Sequence, residues 1–118
     1  MTYKQDIGNS GEDTAASYLQ TNSYEILHRN WRYKNHEVDI IATKKNKLHF
    51  IEVKTRTGLQ FGYPEESISS RKMNSLKKAA SAFLDSNPSY TQIQFDVIAI
   101  LGSKNATTEL LLIADVFF

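Results

Sequence analysis

The sequence contains no cysteine among its 118 residues. This absence excludes a disulfide framework, a thiolate metal site and a thiol nucleophile, so any metal would be bound through oxygen or imidazole. Proline and glycine are also scarce, with two and five residues respectively, and no Pro/Gly-rich linker, internal repeat or low-complexity tract divides the chain. We therefore expect a single domain over residues 1–118.

Long apolar runs are absent as well. Nowhere does the sequence approach the length of a membrane span, and the first thirty residues lack the apolar core of a signal peptide. Hydrophobic residues nevertheless make up 41% of the chain and charged residues 23%, a balance typical of folded globular proteins. We expect a cytoplasmic protein with no membrane partner.

An excess of charge of either sign is missing too, because the net charge is only +1. Such a balance ordinarily argues against a nucleic-acid partner. The cations are unevenly distributed, however, since residues 28–85 hold twelve of the 14 Lys and Arg. This clustering allows one basic surface on a neutral protein. Solvated cations scattered over the surface are the alternative.

Periodicity predicts two helices and five strands in the order α-β-β-β-α-β-β. Residues at steps of three and four from Ile7 to Leu19 indicate a first helix, which Asn9 or Ser10 can cap and which ends near residue 21, and a similar apolar stripe indicates a second helix over 70–85. The predicted strands cover residues 24–33, 38–43, 48–54, 93–101 and 109–116. Residues 55–68 contain glycine and proline without clean periodicity, which predicts a loop. The expected fold class is α/β, a mixed sheet flanked by helices.

The second and third strands form a hairpin that carries the candidate chemistry. An even loop length, such as a two-residue turn at Lys45-Asn46, fixes the paired residues and places them on one face. The predicted pairs are Ile41/Phe50, Asp39/Glu52 and Glu37/Lys54. Asp39 and Glu52 would then have Cβ atoms about 4.5 to 5.5 Å apart, a spacing at which like charges destabilise a strand pair.

Something must offset the repulsion between these two carboxylates. A shared proton, a cationic side chain or a divalent ion such as Mg²⁺ would do so. Lys54 follows Glu52 by two residues and falls on the same strand face. A metal ion beside a lysine is a composition used to cut phosphodiesters. The alternative from spacing alone is a salt-bridge ladder in which Glu37 pairs with Lys54 and both acids point into water.

Other catalytic classes find no support in the sequence. His28, His36 and His49 show no zinc-ligand spacing, and His49 is expected on the strand face opposite Glu52. No serine or threonine stands in a recognisable order with a histidine and an acid, and the glycines form no phosphate loop. We interpret Asp96, inside an apolar strand, as a structural residue with a satisfied hydrogen bond.

Five short motifs follow one another along the chain. They are Gly8-x-x-Gly11-Glu12, Glu37-Val38-Asp39-Ile40-Ile41, Glu52-Val53-Lys54-Thr55-Arg56, Phe95-Asp96-Val97-Ile98 and Ile113-Ala114-Asp115-Val116-Phe117. In this order they resemble the small bacterial YraN-like family over essentially the whole chain. That family looks like a branch of the PD-(D/E)XK nuclease superfamily, similar to archaeal Holliday junction resolvases. Val38 departs from the proline of the superfamily pattern, and Gln94 stands where relatives often have arginine.

The resemblance implies a restriction-endonuclease-like αβββαβ core with a site for Mg²⁺ or Mn²⁺. By position, Asp39 and Glu52 match the acidic metal ligands and Lys54 matches the catalytic lysine. Glu12 matches the glutamate that completes the acidic cluster in resolvase-like members, and the backbone carbonyl of Val53 would be a further ligand. For Glu12, the alternative is a first-turn acid favoured by the helix dipole.

Basic side chains in the middle of the chain are candidates for nucleic-acid contact. They are Arg29, Arg32, Arg56, Arg71, Lys72, Lys77 and Lys78. Trp31 and Tyr33 lie among the first of them, and such aromatics can stack on an unpaired base, although half-buried packing is the alternative for Trp31. Phosphate contacts of this kind would make the affinity fall with salt.

The sequence and the resemblance together predict a metal-dependent nuclease that acts on DNA rather than RNA, with branched or junction DNA among the candidate substrates. A non-catalytic nucleic-acid-binding accessory protein that keeps the nuclease fold is the alternative. A third interpretation is an interaction protein, and the dimers of resolvase-like relatives raise a homodimer as one form of it.

Overall fold

The computed structural model describes residues 3–57, 69–102 and 109–116. Its elements are α1 (Tyr3–Thr21), β1 (Glu25–Tyr33), β2 (His36–Lys44), β3 (Lys47–Thr57), α2 (Ser70–Ser86), β4 (Ile93–Gly102) and β5 (Glu109–Ile113). The predicted α/β class and the predicted order of helices and strands are confirmed.

The five strands form one mixed sheet in the order β1-β2-β3-β4-β5. β3 and β4 run parallel, and the other neighbouring pairs are antiparallel. A parallel pair needs a crossover connection, and α2 lies between β3 and β4 in the chain. The arrangement agrees with the expected αβββαβ core.

Each helix covers one face of the sheet. Ala15, Ala16 and Leu19 of α1 pack into one buried cluster with apolar residues of β2, β3 and β4. Leu76, Ala79, Ala80 and Phe83 of α2 pack into a second cluster with other residues of β2 and β3. The alternation of side chains along the strands separates these clusters. Neither described helix is long and apolar enough to cross a membrane.

The β2–β3 hairpin turns at Lys45 and Asn46. Both residues have positive φ angles, 51° and 66°, which a type I′ turn requires at its two central positions. The paired residues run from Lys44↔Lys47 to Ile40↔Ile51. The predicted even register is therefore confirmed as far as Ile40↔Ile51, and of the two even loop lengths that fit it, two and four residues, the hairpin has the two-residue turn.

The largest differences from the predicted boundaries are in α1, β3 and β5. α1 begins at Tyr3, so the prediction that Asn9 or Ser10 caps its start is wrong, because both lie within the helix. β3 continues to Thr57, because residues 55–57 pair with β4 instead of beginning a loop. β5 ends at Ile113, and Asp115 then adopts a φ of 58° and donates its N–H to the Asp96 carboxylate. The rest of the predicted loop, 58–68, lies outside the described residues, as does Phe117 of the last motif.

Candidate active site

The two candidate acids lie where β2 and β3 separate. Backbone pairing between these strands ends at Ile40↔Ile51, one residue before Asp39 and Glu52. Beyond that point β2 continues alongside β1, and β3 continues alongside β4. The predicted direct strand pairing of Asp39 with Glu52 is therefore wrong. The acids instead occupy the opening between two diverging strands.

An irregularity in β1 and β2 accompanies this separation. Asn30 of β1 adopts a φ of 54°, a left-handed conformation that asparagine tolerates better than most residues. On β2, Val38 and Ile41 both pack toward α2, although strict alternation would place residues three apart on opposite faces. The alternation thus shifts by one residue around Asp39, beside the point where β2 leaves β3.

Asp39 is held by the backbone of β3. Its Oδ2 accepts a hydrogen bond of 2.8 Å from the N–H of Val53, the residue that follows Glu52. Burial raises the pKa of Asp39 above its ordinary value, although the Val53 N–H and the charge of Lys72 act in the opposite direction. The hydrogen bond satisfies one carboxylate oxygen and brings the acid of β2 toward the acid of β3.

Glu52 is the most buried acid of the site, with 4% of its surface exposed. Its Oε1 lies 3.4 Å from Lys54 Nζ, and its Oε2 lies 3.4 Å from Lys72 Nζ. These are ion-pair distances that exceed usual hydrogen-bond lengths, and within the described structure Oε2 has no hydrogen-bond partner. Burial and the charge of Asp39 raise the pKa of Glu52 to about 7, although both lysines oppose the rise.

Lys72 reaches this site from the first turns of α2. The helix is capped by Ser69, whose hydroxyl accepts a hydrogen bond from the Lys72 N–H. A hydrogen bond of 2.8 Å between His36 Nδ1 and Ser75 Oγ ties the same stretch of α2 to the start of β2. The sequence assigned Lys72 to the nucleic-acid surface, whereas the structure places its ammonium group against Glu52. Its position four residues before Leu76 continues the buried stripe of α2 and could have indicated this.

Glu12 approaches the opening from α1. Because α1 begins at Tyr3, Glu12 lies in its third turn, and the alternative of a first-turn acid is wrong. With the Asn30 amide nitrogen facing the acids, it donates to Glu12 Oε1 at 3.0 Å and to Glu37 Oε1 at 3.1 Å. Burial and the charge of Asp39 raise the pKa of Glu12. Asn30, which the sequence did not single out, therefore joins two acids beside Asp39.

Glu37 contacts β1 rather than the predicted Lys54. Arg32 is its backbone partner across β1 and β2, and Arg32 Nη2 lies 3.3 Å from Glu37 Oε2. The prediction that Glu37 pairs with Lys54 is wrong, because β2 has already left β3 at this point. Glu37 thus balances Arg32 and shares Asn30 with Glu12.

The remaining basic candidates are dispersed along β1, β3 and α2. Arg29 forms an ion pair of 2.8 Å with Asp13 of α1. Arg71, Lys77 and Lys78 are exposed on α2. The side chain of Arg56, at the end of β3, lies outside the described residues. The role of these residues in binding nucleic acid stays a prediction.

A second polar cluster lies on the sheet face opposite Glu52, as predicted for His49. His49 Nδ1 lies 2.7 Å from Asp96 Oδ2, and Asp96 Oδ1 accepts hydrogen bonds from the Gln94 side chain and the Asp115 N–H. Burial acts to raise the pKa of Asp96, but these hydrogen bonds outweigh it and hold the pKa below its ordinary value. The interpretation of Asp96 as a satisfied structural residue is confirmed.

The donor set of the site fits a hard cation with few protein ligands. Asp39 and Glu52 offer carboxylate oxygens, and the buried Glu52 Oε2 has a free acceptor position. In the described part of the chain, no three histidine, aspartate or glutamate side chains converge as a complete ligand set. Mg²⁺ is commonly bound by one or two carboxylates with water filling the other positions, so the two acids meet its needs.

Comparison with known proteins places the chain in a family. The sequence model of the uncharacterised protein family UPF0102 matches residues 11–100, which include both acids and both lysines of the site. The UPF0102 protein of Caldicellulosiruptor saccharolyticus is 43% identical over 116 residues, covering 97% of this chain and 98% of the relative. The UPF0102 protein of Christiangramia forsetii is 38% identical over 118 residues, covering 100% and 98%.

These relatives agree with the YraN-like resemblance noted in the sequence. Their names state no activity, so membership of the nuclease superfamily stays a prediction. The length of the match and the level of identity are decisive for the family itself: the chain belongs to the uncharacterised protein family UPF0102.

Proposed function

We propose that this protein is a Mg²⁺- or Mn²⁺-dependent nuclease that hydrolyses phosphodiester bonds in DNA. One observation carries the proposal. The buried carboxylate of Glu52 lies beside Asp39 in the strand opening, with Lys54 and Lys72 at 3.4 Å from its two oxygens. Buried acids with raised pKa values beside specific cations are characteristic of functional sites, because a purely structural role would favour hydrogen-bonded, fully satisfied groups.

Asp39 and Glu52 would hold the metal, and the Val53 carbonyl and Glu12 remain the further ligands that the family resemblance implies. When bound, the ion would stabilise negative charge on the phosphate and lower the pKa of a water molecule. The Val53 N–H keeps Asp39 oriented before any ion arrives. Such preorganisation matters because ligands that need not move give up less entropy on binding.

Hydrolysis bonds a water oxygen to phosphorus, breaks one P–O ester bond and moves a proton from the water to the leaving oxygen. Lys54 is placed to orient the water or to stabilise the charge that develops on the phosphate, since its ammonium group shares a strand face with Glu52. Lys72 balances the charge of Glu52 from the helix side. The two lysines would thus favour the ionised form of Glu52 and add positive charge where the phosphate binds.

A cleavage assay tests the proposal. Labelled linear, flapped and four-way DNA is incubated with the protein in Mn²⁺, alongside Glu52→Gln and Lys54→Met, with Lys45→Gln in the exposed hairpin turn as the control. We expect wild type and the control to cut at least one substrate, and the two site variants to be slower by about a hundredfold. Equal rates for wild type and both site variants on every substrate would contradict the proposal.

One observation favours the non-catalytic alternative. Lys54 and Lys72 already neutralise Glu52 without a metal, so the site could persist as a structural ion-pair cluster. A nucleic-acid-binding accessory protein would bind DNA equally well with Asp39→Asn and Glu52→Gln, and would lose salt-sensitive binding when Arg71, Lys77 and Lys78 are neutralised. Binding without cleavage in that pattern would select this alternative.

A further inference from the structure

A cleft opens between the β1–β2 hairpin and the second half of α2, outside the carboxylate site. Its volume is about 640 Å³, within the range of small-molecule binding sites. The residues that matter for its chemistry are two aromatics, two lysines, a histidine and one acid. They are Trp31, Tyr33, Lys34, Lys78, His36 and Asp85.

We propose that this cleft binds an unpaired nucleotide of the DNA strand that enters the carboxylate site. The inference rests on the proposed function, since it takes the same nucleic acid as ligand and assigns a place to its single-stranded part. It makes DNA with an unpaired strand, such as a flap or a branch, the preferred substrate class.

The aromatic residues supply a surface for a base. Tyr33 is 39% exposed, whereas Trp31 is half-buried and packs edge-on against Phe83 at a centroid distance of 5.3 Å. Trp31 therefore gives the cleft a fixed wall and Tyr33 gives it an accessible ring. Base stacking on such rings is tolerant of sequence, because every base has a π-face.

Lys34 at present covers the Tyr33 ring, with its Nζ 5.3 Å from the ring centroid. A single exposed cation–π contact is weaker than the stacking of a base on an aromatic ring. An arriving base can therefore take the place of Lys34. The displaced ammonium group would then be free to pair with the phosphate of the same nucleotide.

The charges of the cleft fit a whole nucleotide better than a bare phosphate. Lys34 and Lys78 attract the phosphate, whereas the Asp85 carboxylate at the helix side repels it. The same carboxylate accepts hydrogen bonds from the amino groups of adenine, guanine or cytosine. A nucleotide can therefore place its phosphate near the two lysines and donate a hydrogen bond from its base to Asp85.

The cleft is also connected to the carboxylate site. His36 lines the cleft and stands three residues before Asp39 on β2, a distance of about 10 Å along a strand. His36 also bonds Ser75 of α2, one helical turn after Lys72. The cleft and Asp39 are therefore close enough for one DNA strand to reach both.

The test uses the intrinsic fluorescence of Trp31, because the sequence contains only one tryptophan and it lines the cleft. Wild-type protein in EDTA is titrated with a short single-stranded oligodeoxynucleotide, with its blunt duplex and with the matching oligoribonucleotide. Fluorescence anisotropy of labelled DNA measures total binding in parallel. We expect the single strand to quench Trp31 and the blunt duplex to quench it less.

Three variants complete the test. Tyr33→Leu should weaken single-strand binding by about tenfold, whereas Tyr33→Phe, which keeps the ring, should bind like wild type. Lys78→Gln should lower the slope of log affinity against log salt by about 0.7, the contribution of one phosphate contact to a single strand. Lys45→Gln, in the hairpin turn that follows β2, is the matched control and should change neither quantity.

Three results would overturn the inference. They are an unchanged Trp31 signal when anisotropy shows DNA bound, equal affinity for wild type and both Tyr33→Leu and Lys78→Gln, and a preference for the oligoribonucleotide. Because the titration contains no divalent ion, it is independent of cleavage. If the protein binds DNA in this pattern but never cuts it, only the proposed nuclease function is overturned. If it cuts DNA while the Trp31 fluorescence stays unchanged, only nucleotide binding in the cleft is overturned.

Discussion

Val53 donates its backbone N–H to Asp39 Oδ2 at 2.8 Å, although the strands that carry the two residues no longer pair at this point. A carboxylate thus takes the place of a backbone acceptor where β2 leaves β3. The bond fixes the acid of β2 relative to the strand segment that also carries Glu52 and Lys54. It follows that Asp39→Asn, which keeps an oxygen acceptor, is a better probe than Asp39→Ala, which leaves a donor unsatisfied.

The first prediction concerns the pH dependence of stability in the absence of divalent ions. Folding raises the pKa of Glu52 from 4.5 to about 7, so the folded state favours the protonated side chain. The contribution of this preference to stability is fully present below pH 4.5 and is lost as the pH rises through 7. The shift corresponds to roughly 3 kcal/mol. Glu52→Gln cannot ionise, so its free energy of unfolding should increase relative to wild type between pH 5 and pH 8.

Urea denaturation at these two pH values measures this difference, with Glu25→Gln at an exposed position of β1 as the control. The control should follow the wild-type profile. Wild-type and Glu52→Gln profiles that run parallel from pH 5 to pH 8 would show that Glu52 does not titrate in this range.

The second prediction concerns Lys72. Its ammonium group lowers the pKa of Glu52 from the helix side, so Lys72→Gln should raise that pKa further above 7. The titration midpoint of the Glu52 carboxyl carbon, followed by NMR, should move to higher pH. Arg71→Gln, the exposed neighbour on α2, is the control and should leave the midpoint unchanged. An unmoved midpoint in Lys72→Gln would place Lys72 outside the site.

The third prediction concerns Gly11, where α1 approaches β3. A Cβ atom at this position would overlap Thr55 Oγ1. Gly11→Ala should therefore lower the melting temperature of the wild-type protein. In a Thr55→Ala background the overlap is gone, and the same substitution should raise the melting temperature, since alanine favours a helix over glycine by about 1 kcal/mol. A substitution effect of the same sign in both backgrounds would contradict the contact.

The fourth prediction concerns the buried pair of His49 and Asp96. The lowered pKa of Asp96 means that its contribution to stability is present above pH 3.8 and is lost as the pH falls through the folded value. Asp96→Asn should therefore lower the free energy of unfolding at pH 7 by about 1–3 kcal/mol, because it removes a charged hydrogen-bond acceptor, and the loss should shrink as the pH falls below 3.8. Asp13→Asn at an exposed position should change stability by less than about 0.5 kcal/mol. An unchanged free energy of unfolding in Asp96→Asn at pH 7 would show that the pair does not stabilise the fold.

The sequence was sufficient for the fold because the local signals agree with one another. The apolar stripe of α2, the two β-rich runs of the hairpin and the turn at Lys45 and Asn46 all describe elements that the structure contains. The register from Lys44↔Lys47 to Ile40↔Ile51 followed from the turn length, because side chains alternate regularly through this part of the hairpin. Local signals are not sufficient for the end of β3. Residues 55–57 are part of this strand only because they pair with β4, which is distant in sequence.

The site was predictable only in part, for a physical reason. The position of Glu52 and Lys54 on one face depends on local alternation, and the structure places them together. The separation of β2 from β3 occurs beside the left-handed Asn30 and where β2 pairs with β1 alone, and no pattern within β2 reveals these features. Lys72 comes from a helix far along the chain, so its approach to Glu52 is a consequence of packing.

The proposed nuclease function requires that Asp39 and Glu52 together bind a divalent ion. Calorimetric titration of Mn²⁺ into wild type, Asp39→Asn and Glu52→Gln at pH 8 and pH 6 tests it most directly. We predict binding by wild type at pH 8, a roughly tenfold lower affinity at pH 6 because a proton then competes at Glu52, and severe loss in both variants. If wild-type protein takes up no Mn²⁺ at pH 8, or binds Mn²⁺ with the same affinity as Asp39→Asn and Glu52→Gln do, these two acids are not the metal ligands.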